Sequence, residues 1–263
     1  MANRRLLIFE DRTRLTDYLL RHWLRRARAA IRLRGSFQTA LAADPEAVEF
    51  YCRLSGQDAF EGWGRTHVFW TDERRAVADG DPSHYGFLKE HFLNYIPIPL
   101  ENIHPIPHRC DSAREGAMAY ERHLRDHFQL DDSEYPSLDW ILLGMDTDGR
   151  IAALFPGAVD RQTTALAAGI MLTTTDAFRI TLTLPVLNHA REIVILATGS
   201  EKAPVLREVF HGRQAYPAAH VRPVDGDVLY LVDRRAAGRL GDYGNHYYHE
   251  DEAVVVPLVN TDF

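Results

Sequence analysis

The chain has 263 residues, 46% hydrophobic and 25% charged, with a formal net charge of −7, a balance that excludes a fibrous or low-complexity protein and suits one large α/β domain. No run approaches the roughly 18 uninterrupted apolar residues of a membrane helix, and the opening "MANRRLLIFEDRTR" breaks into charge too early for a secretory signal, so no membrane partner and a cytoplasmic location are expected. Cys52 and Cys110 offer neither a disulfide framework nor metal-ligand spacing and are read as packing residues.

In chain order, a short strand at Leu6 to Phe9 leads into a helix with apolar Leu15, Leu19, Trp23, Ala27 and Ile31 every fourth residue. The first 34 residues hold ten arginines against Glu10, Asp11 and Asp17, a local charge of +7. Such a patch suits nucleic acid, but the helical period makes it the solvated face of an amphipathic helix, and no nucleic-acid partner is expected. "SFQTALA", Ser36 to Ala42, predicts a buried strand. It runs into a helix with Asp44 as N-cap, Pro45 at its first position and Gly56 just past its end.

"THVFWTDER" predicts a strand ending in a charged loop and "YGFLKEHFL" a helix. "IPIPLENIHPIP" is an extended connection, "DSAREGAMAYERHLRDHFQL" a long amphipathic helix, and "LDWILLGMD" a fully apolar strand of the kind covered on both faces. "AFRITLTLPVLNHA" and "EIVILATG" follow as strands with a helical turn between them, then a helix from Glu201 to Phe210, the strand "DVLYLVD" and the helix "RRAAGRL". Alternation of strand and helix throughout predicts a three-layer α/β/α sandwich around one mostly parallel sheet, with ligands at the carboxyl ends of its strands. Residues 1–263 are expected to form a single domain with residues 241–263 as an extra tail. His246, His249 and Glu250 in that tail match no known zinc spacing, and a surface tail strand is the competing reading.

Polar residues gather where strands end. Asp72, Glu73 and Arg74 close one strand, and "GMDTDGR" closes another. Lys202 lies in the first turn of a helix after Gly199, where backbone N–H groups and two cations suit a phosphate or carboxylate. A solvated lysine, with Arg74 tied to Asp72 or Glu73, is the structural alternative.

The ordered segments "FWTDERRAVADGDPSHYGFLKEHFL", "NIHPI", "LDWILLGMDTDGRIAALFPG", "RITLTLPVLNHAREIVILATGSEKAPVLREVF" and "YPAAHVRPVDGDVLYLVDRRAA" resemble the 6-phosphogluconolactonase family, relatives of the glucosamine-6-phosphate isomerases. Leu154-Phe155-Pro156-Gly157 is the lactonase ending. The resemblance implies a Rossmann-like α/β/α fold and hydrolysis of 6-phosphoglucono-1,5-lactone in the pentose phosphate pathway, without metal or organic cofactor. It also implies a histidine base in a Gly-Met-Gly-x-Asp-Gly-His loop and a phosphate held by a Gly-rich loop with the motif Arg and Lys.

The chain departs from that pattern where the chemistry lies. Arg150 stands at the base position, and a guanidinium is never a general base. Ile151 and Ala153 replace loop hydroxyls, Asp146 replaces a glycine, and Ser83-His84 replaces Ser-Asn. Ala43 and Asp44 stand where the phosphate loop has glycine and, with Glu46, put carboxylates at the helix start that a phosphate would use. Asp148, Arg74 and Lys202 survive, and Arg150 adds a third cation; it either binds an anion or merely bridges to Asp148.

Two functions stay open. One is a member with lost or altered catalysis that binds a small anionic sugar, a sugar phosphate or a protein partner, as monomer or homodimer. The other is an active hydrolase with a substituted base, for which His84 and Asp148 are the candidates. His104 in "NIHPI" matches a family position and is read as fixing the Pro-rich connection, while His22 and His91 are read as structural.

Overall fold

The computed structural model describes residues 4–75, 83–107, 109–157, 160, 162–172, 177–213 and 215–241. Strand β1 (Arg4–Phe9) leads through the Asp11 cap, whose carboxylate accepts from the Arg14 N–H at 2.9 Å, into helix α1 (Arg12–Arg34), ended by Gly35 at φ +85°. Leu15, Leu19, Trp23, Ala27 and Ile31 are all buried, as their spacing demands. The arginines are less idle than a solvated face. Arg26 donates twice to the buried Glu192, Arg34 reaches Asp139, and Arg12 donates to the Pro45 and Glu46 carbonyls.

After β2 (Phe37–Leu41), Asp44 caps a 3-10 turn, Pro45–Ala47, that continues as α2 (Val48–Ser55). Strand β3 (Thr66–Trp70) is followed by a separate strand, β4 (Asp72–Arg74), and α3 (His84–His91). The Pro-rich connection contains a two-residue strand, β5 (Ile103–His104), and leads to α4 (Ala113–Phe128) and the buried β6 (Trp140–Gly144). Then come β7 (Ala167–Met171), β8 (Phe178–Leu182), α5 (Leu184–Asn188), β9 (Glu192–Ala197), α6 (Ala203–Phe210) and β10 (Asp227–Asp233). The expected helix at "RRAAGRL" is only a 3-10 turn, Ala236–Arg239.

The main sheet is parallel in every pairing, in the order β1-β10-β9-β6-β2-β3-β5. One expectation needs correcting: "TDER" and "AFRITL" do not join this sheet. They pair antiparallel in a second sheet, β4-β8-β7, because the chain turns at Thr71 and Leu182 donates its N–H to the Thr71 carbonyl at 2.8 Å. Strand β7 was not foreseen. After the buried Ala167, partly buried Ala168 and Ile170 alternate with exposed Gly169 and Met171, as in a strand covered on one face.

From β2 the chain steps outward to β3 and β5, then returns to place β6 on the other side of β2. The carboxyl ends of β2 and β6 therefore flank the topological switch point, where such sheets open a crevice. Cys110 is partly buried, but Cys52 is exposed and not a packing residue, because its place on α2 faces away from the core. No described helix is long and apolar enough to cross a membrane. The tail with His246, His249 and Glu250 lies outside the described residues.

Candidate functional site

A cavity of about 390 Å³ opens at this switch point. Its walls include Ala43, Asp44 and Glu46 after β2, Arg74 on β4, His84 on α3, Asp146 and Arg150 after β6, Arg179 on β8, and Lys202 before α6. The structure thus gathers His84, Arg74, Arg150 and Lys202 at one mouth. Arg179 was missed in the sequence; the signal was a charge at the second position of the mostly apolar "FRITL".

At one end of the cavity, carboxylates occupy the anion positions. Asp44 Oδ1 accepts the Glu46 N–H at 2.8 Å, and its other oxygen lies so close over Gly144 that a Cβ there would overlap it. Burial, then the nearby Glu46 charge, raises the Asp44 carboxyl above the usual range, against the backbone hydrogen bond from Glu46. Lys202 is 6% exposed, not solvated, and its ammonium is paired with Glu46 Oε1. Glu46 Oε2 accepts the Thr198 N–H at 3.1 Å, and Asp233 accepts the Gly199 N–H at 3.0 Å. Backbone donors that suit a phosphate here face side-chain carboxylates.

The loop after β6 is a tight turn. The Asp146 N–H donates to the Arg150 carbonyl at 3.0 Å, and Gly149 sits at φ +74°, where a side chain would also collide with Tyr216 and Val205. Arg150 extends across this turn, bridges Asp146 and, at 3.4 Å, Asp148, and lies over the Phe155 ring. Asp148 also accepts the Arg150 N–H at 3.1 Å, so it orients the arginine and makes no contact with His84. Ile151 and Ala153 are buried.

The opposite end centres on His84, which is 6% exposed. Its Nδ1 is 2.9 Å from the Asp72 carbonyl and 3.4 Å from Asp72 Oδ2. Arg74 and Arg179 each bring a guanidinium nitrogen to 3.3 Å from Nε2. With the proton on Nδ1, Nε2 accepts from both. Burial disfavours the imidazolium, but the Asp72 and Glu73 carboxylates outweigh it and lift His84 above its ordinary range. Glu73 is not tied to the Arg74 side chain; it accepts the N–H groups of Arg74, His84 and Tyr85 at 2.7 to 2.8 Å and so caps α3. Arg74 has no carboxylate partner among the described residues.

A second cluster stands apart from the cavity. His67 on β3, His104 on β5, and His123 and His127 on α4 meet at the sheet edge, so histidines do converge outside the pocket. Burial first, then the neighbouring rings, brings His104 down to about 3 and His127 to about 4; burial also lowers His67 and His123.

A seven-stranded parallel sheet with a charged crevice at its switch point defines a Rossmann-like α/β/α sandwich. Residues 10–230 match the family model for glucosamine-6-phosphate isomerases/6-phosphogluconolactonase. A 6-phosphogluconolactonase of Synechocystis sp. is 34% identical over 80% of this chain and 88% of its own length. One from Nostoc sp. is 32% identical over 89% and 97%. The 6-phosphogluconolactonase structure from Trypanosoma brucei superposes with a TM-score of 0.79 at 24% identity, covering 91% of this chain and all of that one, and so shares the fold. The chain belongs to the glucosamine-6-phosphate isomerase/6-phosphogluconolactonase family and is a 6-phosphogluconolactonase-like protein.

Proposed function

We propose that this protein binds a small sugar acid in the switch-point cavity and that turnover of 6-phosphogluconolactone is lost or strongly reduced. The observation that carries this reading is the pairing of the cations. Lys202 is engaged by Glu46 and Arg150 by Asp146 and Asp148, whereas Arg74, with no carboxylate partner among the described residues, and Arg179, 3.6 Å from Asp72, converge on His84. An anionic ligand group therefore fits the Arg74–Arg179 end, and sugar hydroxyls donate to Asp44 at the other. A phosphate dianion at Asp44 and Glu46 would meet two carboxylates before any free cation.

A coupled assay on 6-phosphogluconolactone, corrected for spontaneous hydrolysis, tests the catalytic half. A turnover of order 10 per second or more overturns it. Calorimetry with gluconate and with 6-phosphogluconate tests the binding half, and tighter binding of gluconate is expected.

A second reading, an active hydrolase, is favoured by the His84–Asp72 pair. A buried imidazole oriented at Nδ1 by a carboxylate is a general-base arrangement. Its Nε2 is occupied by two guanidinium groups, which an arriving anion would draw away, freeing the lone pair for water. Under this reading His84→Gln abolishes turnover; Asp148, held on Arg150, matters less.

A further inference from the structure

The histidine cluster owes its existence to three elements that meet at one edge of the sheet. His67 and Phe69 share a face of β3, His104 is the register partner of Phe69 on β5, and His123 and His127 lie four residues apart on one face of α4. Ring packing accounts for part of this, since the His104 ring stacks on Phe69 with centroids 4.4 Å apart. It does not account for the nitrogens. His67 Nδ1 lies 3.1 Å from His104 Nε2, and one ring nitrogen from each of His67, His104 and His127 falls within 4.8 Å of the others.

We propose that His67, His104 and His127 form a binding site for a late first-row divalent cation, with Zn²⁺ as the physiological occupant, that fastens the sheet edge to α4. Ligand nitrogens about 2.0 Å from a tetrahedral ion lie about 3.3 Å apart, so the rings need only small shifts to close on one. Imidazole donors select zinc, copper and nickel over calcium and magnesium.

The surroundings supply what ligating histidines use. His104 Nδ1 is 2.9 Å from His123 Nε2, and with the proton on Nδ1 this hydrogen bond leaves Nε2 free to ligate and holds the ring in place. His127 Nε2 is 3.1 Å from Gln38 Oε1, which puts an oxygen donor at the rim. His104 is 5% exposed while His67 and His127 are half-buried, so an ion enters from the surface toward a buried ligand. No residue of the cluster lines the switch-point cavity, and the site is independent of what binds there.

The test uses the untagged full-length chain, stripped with chelator and titrated with ZnCl₂ by calorimetry, with thermal unfolding read in parallel. One equivalent of Zn²⁺ is expected, with a higher unfolding temperature. The double variant His67→Asn/His127→Gln should bind at least about tenfold more weakly and lose that thermal shift. A His246→Gln/His249→Gln variant should keep both. No Zn²⁺ binding by the unsubstituted chain, undiminished binding by the cluster variant, or loss of binding in the tail variant overturns the proposal. Should the cluster variant fail to fold, the unsubstituted chain loaded with Co²⁺ decides. Intense visible bands of a tetrahedral nitrogen site, removed by one equivalent of Zn²⁺, support the proposal, and their absence overturns it.

Discussion

Glu46 and Lys202 act as one unit in physical terms. A lysine that is 6% exposed must have a counter-charge, and Glu46 fills that role. Glu46→Gln should therefore cost about 3 kcal/mol in urea unfolding, since it strands a buried ammonium. The same variant should gain thermal stability from 6-phosphogluconate that the parent chain does not. The Asp44 carboxylate and Gly144 interlock in the same way. Gly144→Ala is expected to be strongly destabilising alone and much milder in an Asp44→Ala background, a coupling that a double-mutant cycle measures directly.

Among the elements, α1 shows how a patch read as solvent-facing becomes an anchor. Glu192, at the start of β9, is fully buried, with His22 Nε2 and both Arg26 donors at 2.7 Å. Burial pushes its carboxyl up, but these hydrogen bonds and charges prevail and bring it down to about 2. A depressed carboxyl contributes stability that is complete above its unfolded value near 4.5 and is lost as pH falls toward 2. Glu192→Gln should thus lower stability by about 3 kcal/mol at pH 7 and close most of that gap by pH 2 to 3, followed by urea midpoints.

The strands of the parallel sheet and the amphipathic period of α1 were legible because burial on both faces, or on one stripe, leaves a direct apolar pattern. The partner of Arg26 was not, since it lies 166 residues away. The second sheet was hidden for a similar reason: "TDER" and "AFRITL" each look like the tail or the body of a main-sheet strand until their antiparallel register is seen. Of the site, Arg74, His84, Arg150 and Lys202 could be named from spacing and resemblance. Arg179 and the histidine cluster could not, because each depends on residues that only the fold brings together.

For the molecule as a whole, the cavity is assembled from loops after β2 and β6 and from β4, β8, α3 and the turn before α6, so under the reading proposed above no single substitution should raise turnover. Arg150→His with Ala43→Gly and Asp44→Gly is expected to raise 6-phosphogluconolactone hydrolysis, and Arg150→His alone to leave it unchanged; the coupled assay reads both. An inert triple variant would mean that the pocket differs beyond these three positions.

The pairing of β1 with β10 has a consequence for how the chain is made. Arg4 meets its partner at Val228, so β1 can dock only after β10, more than 200 residues further along the chain, has been made. Until then its apolar Leu6 to Phe9 segment and the stripe of α1 have no complete sheet to cover. Long loop closure of this kind slows folding and prolongs exposure to aggregation. The ten arginines among the first 34 residues put a local charge of +7 around that apolar segment, a charge that becomes anchorage once Glu192 and Asp139 arrive.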